Sequence, residues 1–336
     1  MTKERVFSPF TAQTPCPCCG SREGILVSTT DGKTGQPLLT LSCNGCGLGR
    51  IDPMPSESQL EEWYETRYRE AYKGCEKPKM NYVLRAASNA LDRYEWLVHK
   101  QLLREGGARL KTLDIGASSG EFVGLMAHQR HDAHGIEPHR GYAEYAQSMQ
   151  LSVQNGSLGN TLESHAARTF DLITMFHVLE HLADPIGALK KIGQRLKEGG
   201  MLYIEVPDAS RFSSPKYMFF RAHTLYFTPD SLQNMLRCAG YGVRCLSEPG
   251  EGNIRLAATY RGVCRQTRRN PHRHELVAAQ PQRKRAPYLL HQIRLGEPFI
   301  RLAKRHQERR LAHQFSSPVD LMASLYGTAT KALTAR

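Results

Sequence analysis

The sequence predicts an α/β protein: a doubly wound, Rossmann-like sheet with a small cysteine-rich module before it and a basic, mostly helical extension after it. Three observations carry this reading. Segments of strand and helix character alternate from about residue 109 to 260, as a sheet covered by helices requires. Within them, Leu113-Asp114-Ile115-Gly116-Ala117-Ser118-Ser119-Gly120 reads as a buried strand, a glycine-bearing turn and the start of a helix. Fifteen residues past Gly120, Gly135-Ile136-Glu137-Pro138 reads as a second strand ending in a carboxylate. Ahead of both, Cys16-Pro17-Cys18-Cys19-Gly20 and Cys43-Asn44-Gly45-Cys46-Gly47 form two Cys-x-x-Cys knuckles.

The knuckles come first in the chain. Four thiolates converging on one point suit tetrahedral zinc, so residues 1–52 read as a zinc ribbon with ligands Cys16, Cys19, Cys43 and Cys46. Cys18 is an alternative ligand in the first knuckle. Four cysteines leave no open coordination position, which makes the ion structural rather than catalytic. The intervening stretch from Ile25 to Leu41 reads as a hairpin, with Asp31-Gly32 and Thr34-Gly35 as turn candidates. The bland alternative is a set of thiols with no metal. The N-terminus has no apolar core of signal-peptide length, so cytoplasm is the expected compartment. The nine cysteines then read as ligands or buried thiols rather than disulfides.

Residues 53–107 read as a helical linker or lid. Ser56 can cap a helix through Leu60, Trp63, Tyr64 and Tyr68, and a second helix spans about Asn81 to Leu103, stopping near Gly106-Gly107. Tyr68, Tyr72 and Tyr82 are lid candidates, with interhelix packing as the competing role.

Residues 108–260 form the core. Strands are expected at Arg109–Ile115, Ala133–Glu137, Leu151–Gln154, Phe170–Phe176, Gly200–Val206, Tyr241–Ser247 and Ile254–Tyr260. Helices are expected at Glu121–Arg130, Gly141–Gln150, Leu158–Ala167, Pro185–Lys197 and Pro229–Ala239. The last two strands follow one another without a helix, which predicts an antiparallel final pair. Asp114 and Glu137 fall at neighbouring strand tips, where ligands of such sheets bind. Gly116 permits close approach of backbone to ligand, and Gly120 lets the next helix start tightly. A carboxylate at the second tip suits a free ribose diol. The turn lacks Gly-x-Gly-x-x-Gly, and no Gly-Lys-Ser/Thr follows, so a phosphate-cradling loop is excluded. A nucleoside with a zwitterionic tail fits better.

At this point the chain resembles the class I S-adenosylmethionine (SAM) methyltransferases. The resemblance continues in Thr174-Met175-Phe176-His177-Val178-Leu179-Glu180-His181-Leu182 with Asp184-Pro185, and in Leu196-Lys197-Glu198-Gly199-Gly200. It extends through Tyr203-Ile204-Glu205-Val206-Pro207-Asp208, His223-Thr224-Leu225-Tyr226-Phe227-Thr228-Pro229 and Ala239-Gly240-Tyr241. These are similar to a group that includes ubiquinone-biosynthesis O-methyltransferases and sugar and secondary-metabolite enzymes. The resemblance implies a seven-stranded sheet and SAM as cofactor. It implies that Asp114, Gly116, Ala117 and Gly120 line the methionine side, that Glu137 takes the ribose diol, and that Phe176 and His177 border the reacting carbon. Ser157 and Leu158 stand where the family meets adenine; the Asp often found there is missing. His223, His177 and His181 are the base candidates, because imidazole titrates near working pH. Each could instead be a structural or surface histidine, and Glu180 and His181 could simply orient the turn.

One rival concerns the same segment. His177-Val178-Leu179-Glu180-His181 formally matches a His-x-x-Glu-His zinc-peptidase pattern, which needs both histidines on one continuous helix.

The charge is uneven. Residues 261–336 carry 16 Lys and Arg against 4 Asp and Glu, whereas residues 1–260 carry 29 against 28. Only this C-terminal extension is basic enough to seek RNA, an anionic membrane surface or another acidic partner, and a solvated appendage is the plain alternative. No run of 18 apolar residues predicts a membrane span. The expected function is methyl transfer from SAM to a small-molecule, sugar or lipid-linked acceptor, through a hydroxyl. The alternatives are an RNA methyltransferase and a binding or assembly protein on the same fold. Against RNA stand the missing Asn-Pro-Pro-aromatic signature and the missing Pro-Cys pair at the fourth strand tip. The intact Asp114, Gly116, Gly120 and Glu137 argue against a non-enzyme.

Overall fold

The computed structural model describes residues 9–63, 78–104, 106–159, 162, 169–210, 219–247 and 253–262. In chain order its elements are β1 (Pro9–Thr11), β2 (Glu23–Thr30), β3 (Pro37–Cys43), β4 (Gly49–Asp52), α1 (Glu57–Trp63), α2 (Met80–His99), β5 (Lys111–Ile115) and α3 (Glu121–His128). Then come β6 (Asp132–Glu137), α4 (Arg140–Ser148), β7 (Val153–Asn155), β8 (Phe170–Phe176) and a 3-10 turn (Leu179–His181). The remainder are α5 (Pro185–Gly193), β9 (Leu196–Pro207), β10 (Leu225–Tyr226), α6 (Pro229–Cys238), β11 (Tyr241–Leu246) and β12 (Asn253–Tyr260). The described residues fall into two compact units, one drawn from 9–63 and 171–262, the other from 78–170.

Seven strands run in the order β11-β12-β9-β8-β5-β6-β7. Numbered within the sheet this is 6-7-5-4-1-2-3, the arrangement the resemblance implies. β5, β6 and β7 pair in parallel, while β9, β12 and β11 pair antiparallel, as the missing last helix predicts. β8 shows why the strands form. Phe170-Asp171-Leu172-Ile173-Thr174-Met175-Phe176 is a nearly unbroken apolar run buried along its length. Its one acid, Asp171, reaches out to the Lys197 ammonium at 2.8 Å.

In the unit built from 78–170, α3 starts at Gly120, whose φ of +87° is a left-handed conformation that glycine alone adopts without cost. A Cβ there would sit 2.7 Å from Leu151 Cδ1 and 3.1 Å from Ala146 Cβ. The glycine therefore serves close packing of α3's start on α4 and β7.

In the other unit, β1 to β4 form an antiparallel sheet that β10 extends, pairing Leu225 with Arg50 and Tyr226 with Gly49. The hairpin of β2 and β3 is the one expected between Ile25 and Leu41, closed at Asp31, whose Oδ1 accepts from the Lys33 and Thr34 amides. α1 opens with the Ser56 cap: Ser56 Oγ accepts from Gln59 N, and Gln59 Oε1 accepts from Ser56 N. Thr228 and Ser231 form the same reciprocal cap on α6, and Asp184 caps α5 ahead of Pro185.

Several boundaries differ from the sequence expectation. α5 ends at Gly193 rather than Lys197, because β9 is 12 residues long and begins at Leu196. Gly193 also lies under the Tyr260 ring, where any Cβ would collide. α2 stops at His99, short of Leu103. β1, β4 and β10 went unanticipated; they are two to four residues long and carry too little periodicity to read. Tyr68, Tyr72, most of the Leu158–Ala167 helix and residues 263–336 lie outside the described residues. Among those described, no helix is long and apolar enough to cross a membrane.

Candidate functional site

In the unit 78–170 the turn after β5 hangs on one carbonyl. The amides of Gly116 and Ala117 both donate to Ile136 O, at 2.8 and 2.9 Å. Gly116 has φ +76° and Ser118 φ +52°, so the chain reverses sharply at the strand tip. The buried Glu137 carboxylate then bridges two loops. Its Oε2 accepts from Ser118 N and its Oε1 from His139 N, both at 2.8 Å. Gly156 N and Asn155 Nδ2 donate to the Glu137 carbonyl. Backbone and amide donors from both flanking loops thus fix one acid. Asp114 is buried at the end of β5, Ala117 is buried in the turn, and Ser157 and Leu158 are half-buried just past β7. This is a rigid strand-tip acceptor beside a left-handed glycine turn, and it fits the sugar of a nucleoside.

In the other unit, His177 follows β8 directly with φ +55°, a sparsely populated conformation for a non-glycine residue. Its own amide bonds Glu205 O at 2.9 Å. Its ring faces two carboxylates, Nδ1 to Glu180 Oε1 at 3.3 Å and Nε2 to Glu205 Oε1 at 3.2 Å. Arg255 Nε holds the second Glu205 oxygen at 2.8 Å. Burial works against charge on His177, and the hydrogen bonds to Glu180 and Glu205 outweigh it, pushing the imidazole up to about 9. Burial also opposes ionisation of Glu180, but His177 and the neighbouring histidines hold its carboxyl below the usual range. His177 is therefore a fixed cation at neutral pH, with both nitrogens engaged, and not a poised base.

His181 and His223 differ. His181 Nδ1 lies 2.6 Å from Ala222 O, and the rings of His181 and His223 stand edge to face at 4.9 Å. His223 also lies 4.1 Å from the Phe220 ring. Burial first, then the charge of His181, push His223 down to about 3, so it is neutral. Phe176 packs edge to face on Tyr203 at 5.3 Å. The 3-10 turn at Leu179–His181 breaks the His-x-x-Glu-His pattern. His177 precedes the turn and pairs with Glu180, so no continuous helix presents both histidines, and the peptidase geometry is excluded.

The cysteines of the same unit converge as expected. Cys16 Sγ and Cys46 Sγ are 3.6 Å apart, Cys19 Sγ and Cys43 Sγ 3.5 Å, and all four lie within 4.8 Å of one another. Sulfurs around a tetrahedral zinc at about 2.3 Å stand about 3.8 Å apart, so the residues fit the ion. Both knuckles turn alike, with Gly20 N on Cys16 O and Gly47 N on Cys43 O. A Cβ at Gly45 would approach Cys19 Sγ to 2.9 Å. Cys18 is buried and is not one of the four. The hairpin tip of this module reaches the segment before His223. Asp31 Oδ2 accepts from Arg221 N at 2.9 Å, Gly32 N donates to Phe219 O, and Lys33 lies over the Phe220 ring.

Sequence reasoning gave Glu205 and Arg255 no role, and gave Asp31 only the hairpin turn. Glu205 carried a readable signal, since an acid between Ile204 and Val206 in a buried strand needs a partner. Asp31 and Arg221 are 190 residues apart, and no local pattern joins them.

The strand order, the glycine turn and the acidic second tip define a class I SAM-dependent methyltransferase domain. Residues 87–246 match a family model described as a methyltransferase domain. Among curated proteins, the chain is 26% identical over 98 residues to a ubiquinone biosynthesis O-methyltransferase of Vibrio parahaemolyticus, covering 28% of this chain and 42% of that one. It is 27% identical over 154 residues to a tRNA U34 carboxymethyltransferase of Dichelobacter nodosus, covering 43% and 49%. The chain thus spans less than half the length of these relatives. Among solved structures it is similar to a SAM-dependent methyltransferase of Thermotoga maritima, a possible histamine N-methyltransferase, with 20% identity, TM-score 0.40, and 60% and 98% of the chains covered. It is also similar to the DhpI–SAH complex, with 17% identity, TM-score 0.43, and 61% and 97% covered. Both scores are below 0.5 and add nothing to what the strand order gives.

Proposed function

We propose that the protein transfers a methyl group from SAM to a hydroxyl of a small-molecule, sugar or lipid-linked acceptor. The observation that carries this is Glu137, a buried strand-tip carboxylate aimed by the Ser118 and His139 amides beside the Gly116 turn. Asp114, Gly116, Ala117 and Gly120 would hold the methionine side, Glu137 the ribose hydroxyls, Ser157 and Leu158 the adenine, and Phe176 the region of the sulfonium. SAM supplies an already activated methyl group, so the protein's work is to align the acceptor and take its proton. His177, its two nitrogens held by Glu180 and Glu205, would border the acceptor as a positive charge rather than deprotonate it. His181 and His223 are the remaining base candidates. An RNA acceptor is the second reading, favoured by the 16 Lys and Arg of residues 261–336 and by the tRNA-directed relative.

Calorimetry with SAM tests the cofactor half. Losing a carboxylate that accepts from two hydroxyls costs about 1.5–3 kcal/mol, so Glu137→Ala should bind SAM on the order of 10- to 100-fold more weakly than wild type. Equal affinity would remove the ribose role. RNA binding that weakens steeply with salt would transfer the acceptor to nucleic acid.

A further inference from the structure

Glu180, His181 and His223 bring one carboxylate oxygen and two imidazole nitrogens within 4.8 Å of one another. Glu180 is 1% exposed, and its Oε2 is buried with no hydrogen-bond partner among the described residues. A desolvated carboxylate oxygen facing no donor is an unfavourable arrangement unless a cation completes it. The two histidines point the same way. Ala222 O can only accept, so the 2.6 Å contact puts a proton on His181 Nδ1 and turns Nε2 toward Glu180, whose Oε1 stands 4.0 Å away. That is how metal-ligating histidines are held, by a hydrogen bond from the other nitrogen. His223 makes no side-chain hydrogen bond among the described residues; ring packing on Phe220 and His181 fixes it.

The backbone makes the trio rigid. Thr224, next to His223, donates its amide to Glu180 O at 2.9 Å, and its hydroxyl lies 3.0 Å from Glu180 O and 2.9 Å from Leu182 O. The segment bearing His223 is therefore stitched to the turn bearing Glu180 and His181.

We propose that Glu180, His181 and His223 bind a divalent first-row transition cation, distinct from the ion of the four cysteines. Two imidazoles and one carboxylate suit zinc, iron(II) or manganese better than magnesium or calcium, which seek oxygen. Ligand atoms on a tetrahedral ion at about 2.1 Å are about 3.4 Å apart, so side-chain shifts on the order of 1 Å close the site. Three protein ligands leave positions open, unlike the closed cysteine site. The site rests on its own geometry. Its use, lowering the pKa of a bound acceptor hydroxyl, rests on the methyl-transfer reading.

Equilibrium dialysis of the full chain against zinc, with metal analysis, tests the binding. Wild type should hold two ions per chain. Glu180→Gln and His223→Gln should hold one, with the second site at least ~10-fold weaker, while retaining the wild-type circular dichroism spectrum. Cys43→Ser should lose the other ion and keep this one. His134→Gln, outside the trio, should keep both. Excess magnesium should not displace the second ion. A single ion in wild type at saturating zinc, or two in Glu180→Gln and His223→Gln alike, overturns the proposal. Unaltered SAM binding by Glu137→Ala would remove the ribose role and leave the metal site standing.

Discussion

Glu137, at the end of β6, and Glu180, just past the end of β8, are both buried acids, yet they are held in opposite ways. Glu137 takes two backbone amides, from Ser118 and His139. Glu180 takes a side chain, His177, and leaves Oε2 without a partner among the described residues. The first arrangement needs only that β5 and β6 lie side by side, because their tips supply the donors. The second needs β8, the 3-10 turn, β9, β12 and the segment before β10, spread from residue 177 to 255. A carboxylate fixed by local backbone is a stable scaffold for a common cofactor. One fixed by distant side chains can be retuned by any of them, which suits the part that must recognise a particular acceptor.

The largest expected effect separates these two regions through the cysteines. Cys43→Ser removes one of four thiolates, and structural zinc contributes on the order of 10 kcal/mol of folding free energy to small zinc modules. The variant should lose that ion and the order of β2 to β4. Because Asp31 and Gly32 at the hairpin tip bond Arg221 and Phe219, amide exchange should accelerate at Gly32 and Arg221. The amides of Gly116, Ser118 and Gly156 should keep their protection. Uniform loss of protection across both sets would break the contrast.

A smaller effect tests the side-chain network itself. Glu205→Ala deletes the shared partner of His177 and Arg255, both left beside buried surroundings without their carboxylate. Breaking a buried pair from one side costs about 3 kcal/mol, which denaturant unfolding would read as a shift in midpoint. Removing Arg255 as well should recover part of the loss, since the two sites share one interaction. If Glu205→Ala proves no worse than a surface substitution, the network is ornamental.

This contrast explains what could be read from the chain. The seven-stranded sheet is legible strand by strand, from local patterns of apolar residues, and the glycine turn, the Glu137 tip and the four-cysteine set are each carried by residues within about 30 positions of one another, where spacing encodes geometry. Glu180, His181 and His223 were visible as residues but not as a cluster, since Thr224's stitch to the Glu180 carbonyl spans 44 positions. The charge state of His177 was hidden for the same reason. One of its two carboxylates, Glu205, stands 28 positions away on another strand. The ribbon's fifth strand, β10, is two residues long and exists only because β4 offers an edge.

The smallest effect concerns protons, and it isolates His177. Its folded pKa is raised to about 9, against about 6.5 when unfolded. A raised value means the folded state binds the proton more tightly, so this contribution to stability is fully present below about pH 6.5 and is lost as pH climbs toward 9. Glu180 acts at the other end: its lowered carboxyl contributes stability above the ordinary carboxylate range that is lost on acidification. The His177 side chain is 38% exposed, so the alkaline loss is modest. It should appear as a urea midpoint that falls between pH 6.5 and 9 in wild type and falls less in His177→Gln. Parallel slopes for wild type and His177→Gln would mean that the two carboxylates do not hold a charged imidazole, and that His177 is free to serve as the base.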